Sequence, residues 1–248
     1  MWFRRFVLGC KARICQLHKP NLALPTELVV NLLNEVARYI QVSDHVEDKF
    51  DLVICGCFVA FSYVLSLTGM VGLTLNRSII NGELKITRSY GIISLKGQVK
   101  GETEESNHIF PCVSVTSSGI KIRSWLRLLN VVHARAITNL EGKMTKTVLI
   151  DDTLRGYLLT LFDEGDLFPP EIKSHEDVHE GFSIFRSLRR ASDTRALEKK
   201  VAVFDIDIVN RWQTIEAAKG KWPAGAMRQH YSEVSLLRDL FLMYTREM

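Results

Sequence analysis

A chain of 248 residues has room for one large domain or two small ones. With 46% hydrophobic and 24% charged residues it has the composition of an ordinary globular protein, which excludes a disordered or low-complexity chain. The net charge of +4 is too small to mark the whole molecule as basic, but it is unevenly spread. Residues 1–26 carry Arg4, Arg5, Lys11, Arg13 and Lys19 and no acid, and residues 186–228 carry ten Lys or Arg against five Asp or Glu. Basic excess gathered into two segments suits phosphate-backbone binding, while its plainer reading is a solvated surface.

In chain order, Pro25-Thr26-Glu27 marks a helix start with Thr26 as its cap. Leu28, Val29, Leu32, Leu33, Val36 and Ile40 then recur at helical spacing. A second, very apolar helix is expected over about 50–67. Leu84 to Thr87, Gly91 to Val99 and Ile109 to Val115 read as strands, with the polar stretch Lys100 to Asn107 turning between the last two. Gly119 to Val132 is expected to be helical, with Ile122, Trp125, Leu126 and Leu129 on one face, and Thr147 to Phe162 forms another helix. Pro169-Pro170 and an acidic loop lead into a helix carrying Arg186 and Arg189. There is no internal repeat.

The five cysteines (Cys10, Cys15, Cys55, Cys57, Cys112) are an odd number with no Cys-x-x-Cys pair and no matching Cys/His cluster. Reduced thiols in an intracellular protein follow, and no zinc site. The basic N-terminus also has the character of a mitochondrial presequence. Val7-Leu8-Gly9-Cys10 resembles a lipoprotein cleavage site, but the apolar stretch before it is too short for a secretory signal. The uncharged run from Leu52 to Leu75 has 24 residues, enough to span a bilayer. Gly56, Ser62, Ser66, Thr68, Gly69 and Gly72 interrupt it and weigh against a membrane anchor.

The last quarter carries the chemistry. Arg186-Ser187-Leu188-Arg189-Arg190 is followed by Asn210-Arg211-Trp212 and then by Met227-Arg228-Gln229-His230-Tyr231-Ser232. Guanidinium groups, an indole and a terminal tyrosine in this order resemble the second half of a tyrosine recombinase (phage-integrase type) active site. The resemblance covers about residues 10–248 and is nearest to the integrase-like proteins of eukaryotic mobile elements, which also carry Arg-Ser-x-Arg-Arg and Asn-Arg-Trp segments. It implies an α+β, mainly α, DNA breaking-rejoining fold with a small antiparallel sheet. Residues 26–248 would be the catalytic domain, and residues 1–25 the remnant of a linker from a missing N-terminal core-binding domain. It implies double-stranded DNA as partner, a homo-oligomer on that DNA, a nuclear location in a eukaryote, and no metal or other cofactor.

Within that resemblance, Tyr231 matches the nucleophile that forms a covalent phosphotyrosine. Its phenol, with an ordinary pKa near ~10, needs a nearby base or cationic field to react at neutral pH. Arg189 matches the second catalytic arginine, which can hold non-bridging phosphate oxygens in two parallel hydrogen bonds. Arg186 stands where the family more often has histidine. A guanidinium stays protonated, so Arg186 would be a further phosphate clamp and no base. Trp212 matches the position whose ring N–H contacts the phosphate. Lys100, with Lys96 as the alternative one register away, matches the hairpin lysine that protonates the departing 5′ oxygen. Arg190, Arg211 and Arg228 would contact the DNA backbone. The plain alternatives are a surface arginine for Arg189, a core tryptophan for Trp212, a half-buried helix tyrosine for Tyr231 and a solvated lysine at 96 or 100.

One position departs from the pattern. Leu67-Thr68-Gly69 falls where the first catalytic arginine belongs, and Thr68 offers a hydroxyl and no charge. Loss of that clamp costs on the order of 10²–10³ in rate. Arg77, the nearest later arginine, has no spacing that makes it a substitute. The expectation is a degenerate recombinase. Its rivals are a catalytically dead DNA-binding relic that keeps phosphate contacts through Arg186, Arg189, Arg190 and Arg211, and a membrane-associated protein anchored by residues 52–75.

Overall fold

The computed structural model describes residues 22–44, 46–65, 84–86, 90–97, 106–139, 147–165, 167–203, 205–206 and 234–248. Its first helix, α1 (Thr26–Val42), buries Leu28, Val29, Leu32, Leu33 and Val36, the stripe set by apolar spacing. Thr26 does not cap it. Pro25 holds the N-cap position, and the Thr26 hydroxyl instead shares a 2.9 Å hydrogen bond with the Tyr63 hydroxyl. Helix α2 (Val46–Val64) is the centre of the body. It packs against α1, α3 (Ile122–Asn139), α4 (Thr147–Glu164) and α6 (Ile184–Glu198), so it has no solvent face to fill with polar residues. Every residue from Val53 to Leu65 is buried.

Between α2 and α3 lies a three-stranded antiparallel sheet in the order β1 (Leu84–Ile86), β2 (Tyr90–Gly97), β3 (Ser106–Val113). The pairing runs from Tyr90 opposite Val113 to Gly97 opposite Ser106. β3 therefore begins three residues before the apolar Ile109. Gly91 lets the sheet approach α3: a Cβ there would lie inside the side chain of Leu126. Ile122, Trp125, Leu126 and Leu129 are all buried along α3.

The segment after the two prolines holds a short helix, α5 (His175–Gly181), where an acidic loop was expected. Ser174 caps it by accepting from the Asp177 N–H at 3.1 Å, and Asp177 Oδ2 accepts from the Ser174 hydroxyl at 2.9 Å and the Lys173 N–H at 3.1 Å. Helix α6 ends in a Schellman motif. Lys200, at φ 60°, donates its N–H to Leu197 and Val201 donates to Ala196, both at 2.9 Å.

Helix α7 (Val234–Glu247) closes the body over β3 and α6. The Val113 N–H donates to Thr245 Oγ1 at 3.2 Å, and Ser117 donates its N–H to the Arg246 carbonyl at 2.7 Å. The architecture is thus α+β and mainly helical, with a small antiparallel sheet. Among the described residues no helix is long and apolar enough to cross a membrane.

Candidate functional site

Helix α6 is built to hold one face in and one face out. Ile184, Leu188, Ala191 and Ala196 are buried against the core. Their spacing leaves Arg186, Arg189 and Arg190 on neighbouring outward positions, since residues i, i+3 and i+4 share a helical face. Arg186 and Arg190 are exposed, and Arg189 is half-buried at the margin with its Nε covered. Arg189 and Arg190 both have polar or electrostatic partners.

The Arg189 charge is near enough to α7 to act on Tyr244. Tyr244 of α7 is buried, and its hydroxyl shares a 2.9 Å hydrogen bond with Ser192 Oγ. Burial pushes the Tyr244 phenol well above its ordinary range, against the smaller opposing effects of that hydrogen bond and of the Arg189 charge. Tyr231 precedes the first residue of α7 by three positions in sequence. The helix that follows Tyr231 is therefore packed onto the helix that carries Arg189.

Lys96 stands near the end of β2, paired with Asn107 of β3. Lys100 belongs to the connection between those strands and lies outside the described residues. So do Thr68, Arg211, Trp212, Arg228 and Tyr231. Of the residues singled out from sequence, the structure brings together Arg186, Arg189 and Arg190.

No family model, no curated protein and no solved structure matches this chain.

Two features had no sequence signal. Arg155 of α4 binds backbone carbonyls of the turn that launches α6. A groove of about 320 Å³ lies among Tyr39, Val42, Asp51, Leu52 and Tyr157. Its rings Tyr39 and Tyr157 stack at 4.8 Å, and Arg38 sits 4.5 Å from the Tyr39 ring centre. None of the arginines of α6 lines it. Among the described residues no group of three His, Cys, Asp or Glu could hold a metal ion.

Proposed function

We propose that this chain is a tyrosine recombinase-like protein that binds duplex DNA through the arginine face of α6 and is impaired in strand cleavage by Thr68. The observation that carries the reading is the placement of Arg186, Arg189 and Arg190 on one face of a helix anchored through its opposite side. The order of elements supports it as well: a buried helix before Thr68, a small antiparallel sheet bearing Lys96, then the arginine helix and a packed C-terminal helix after Tyr231.

In the proposed chemistry, Tyr231 Oη attacks the phosphorus of a DNA phosphodiester and gives up its proton to water. The P–O bond to the 5′ oxygen breaks, and that oxygen takes a proton from Lys100 or Lys96. Arg186 and Arg189, with the Trp212 N–H, hold the non-bridging oxygens as negative charge builds on them. The aryl phosphate formed is close in energy to the bond broken, so a 5′ hydroxyl can reverse the step. Arg190, Arg211 and Arg228 hold the flanking backbone. The same set without cleavage describes a DNA-binding relic, and a covalent-adduct assay separates the two.

The test is a suicide duplex from which the cut fragment diffuses away, trapping the phosphotyrosine. Little or no adduct is expected from the chain as written. Thr68→Arg should raise adduct formation on the order of 10²-fold, and Tyr231→Phe in that background should abolish it. Efficient adduct formation by the unmodified chain would overturn the impairment. An adduct that survives Tyr231→Phe would overturn the nucleophile assignment. Binding is tested separately. Arg190→Ala or Arg211→Ala should each lower the slope of log K against log salt by about one unit. Binding that ignores salt refutes the DNA reading.

A further inference from the structure

Helices α5 and α6 are joined through only two residues, Phe182 and Ser183, the C-cap of one and the N-cap of the other. A single side chain from α4 grips this elbow. Arg155, with 20% of its side chain exposed, donates from Nη2 to Asp151 Oδ2 at 3.0 Å, one turn back on its own helix. Its Nη1 donates to the His179 carbonyl at 3.3 Å and the Phe182 carbonyl at 3.2 Å, and lies 3.4 Å from His179 Nδ1. The His179 carbonyl is in the last turn of α5, where no further helical N–H can reach it. A cation there satisfies the carbonyl and complements the helix dipole. On the chain's other approach to the joint, Leu22 donates its N–H to the Gly181 carbonyl at 2.7 Å and Leu24 to the Ser187 carbonyl at 3.4 Å.

The elbow fixes the N-terminal end of α6, whose length packs on α2, α4, α1 and α7. Arg189 lies six residues beyond Ser183, about 9 Å along the helix axis. A tilt of about 15° at the elbow would shift its guanidinium by roughly 2–3 Å, enough to break a phosphate hydrogen bond, whose distance range is only about 0.5 Å wide. We infer that Arg155 is the positioning residue of the arginine face, fixing through the His179 and Phe182 carbonyls the angle at which Arg186 and Arg189 meet a phosphodiester. This rests on the proposed role of that face in DNA binding. Lysine does not reproduce the contact, because one ammonium lacks the planar fork that reaches Asp151 and the elbow together.

A double-mutant cycle tests it, read as the affinity of the full chain for a fluorescent duplex at low salt. Arg155→Lys should weaken binding about 10-fold in the wild-type background. In an Arg186→Ala, Arg189→Ala background it should weaken binding less than about 2-fold, because nothing remains to be positioned. Asp151→Asn, which leaves Arg155 in place and removes its tether, should give a smaller effect with the same dependence on background. Circular dichroism and the thermal midpoint of each variant identify loss of fold, and Asp151→Asn then carries the test. An equal loss in both backgrounds overturns the positioning role while the DNA reading stands. A wild-type chain without salt-dependent duplex binding overturns both.

Discussion

The substitution Gly56→Ala tests the packing at the centre of the molecule. In an isolated helix it would stabilise α2 by about 1 kcal/mol, since glycine is the poorer helix former. Here a Cβ would fall within the ring of Trp125, overlapping Cζ3 and Cη2 and lying 2.9 Å from Cε3. Trp125 is 6% exposed and cannot swing into solvent without giving up core contacts. Its carbonyl also accepts from the Cys57 thiol at 3.5 Å, which holds α3 close to α2. Overpacking of this kind typically costs about 1–3 kcal/mol, and three ring carbons in close contact place it at or beyond the upper end. Net of the helix gain, Gly56→Ala should destabilise the fold by about 2 kcal/mol, or roughly 4–8 °C in thermal midpoint for a chain of this size. Thermal and urea unfolding measure it. The companion Trp125→Leu loses its own buried area, but in that background Gly56→Ala should cost less than half as much, giving a coupling energy of about 1 kcal/mol or more. A neutral or stabilising Gly56→Ala in the wild-type background would refute the close approach of α2 and α3.

Other consequences are open to measurement. Burial pushes the Cys55 and Cys112 thiols up from an ordinary 9.0 to about 12, and burial pushes the Tyr157 phenol up from 10.0 to about 12. The folded state therefore holds more protons than the unfolded chain above about pH 9. Stability should be fully present below that point and fall as pH rises toward about 12, and a urea midpoint that is flat or rising over this window contradicts the burial. With Cys10 and Cys15 replaced by Ser, a thiol reagent at neutral pH should modify Cys55, Cys57 and Cys112 only as fast as the protein opens; rapid labelling would place a thiol at the surface. Lys200→Gly should stabilise by about 0.5–1 kcal/mol, because only the lysine is strained at φ 60°, and a loss of stability would argue against the Schellman cap. Tyr244→Phe leaves Ser192 Oγ with only Met248 Sδ at 3.7 Å and should cost about 1–2 kcal/mol in unfolding free energy, an effect within error of zero counting against that buried contact.

Sequence spacing revealed most where one face of an element is buried and the other is not. The apolar stripes of α1 and α3 are buried as their periods require. It failed where the decisive contacts are local polar ones. α5 buries only Val178 and Gly181, so it has no apolar period; its signature was the Ser174 and Asp177 capping pair. β3 starts at Ser106 because backbone pairing with Gly97 and Lys96 extends the ladder through polar residues that side-chain pattern assigns to the turn. Thr26 was misassigned because its hydroxyl has a tertiary partner, Tyr63, 37 positions away. The arginine face of α6 was legible, since i, i+3 and i+4 are fixed by helix geometry. Arg155 was not, because its partners are backbone carbonyls 24 and 27 positions away, and carbonyls have no residue signature.

The apolar run from Leu52 shows why hydropathy alone could not choose between a core helix and a membrane span. A helix surrounded by α1, α3, α4 and α6 and a helix surrounded by lipid obey the same rule: neither needs a polar face. What distinguishes α2 is chemistry suited to protein neighbours. Gly56 admits an indole, Cys57 donates to a carbonyl of α3, and Tyr63 meets Thr26 of α1. The described part of the buried run that begins in α2 ends at Leu65, three positions before Thr68. On the proposed recombinase reading, an arginine lost from position 68 would remove on the order of 10²–10³ in rate from phosphoryl transfer. On that same reading, drift at that position would silence cleavage while the arginine face of α6 kept its hold on phosphate. The proposal thus predicts an order of loss, with catalysis lost first and DNA binding kept longest.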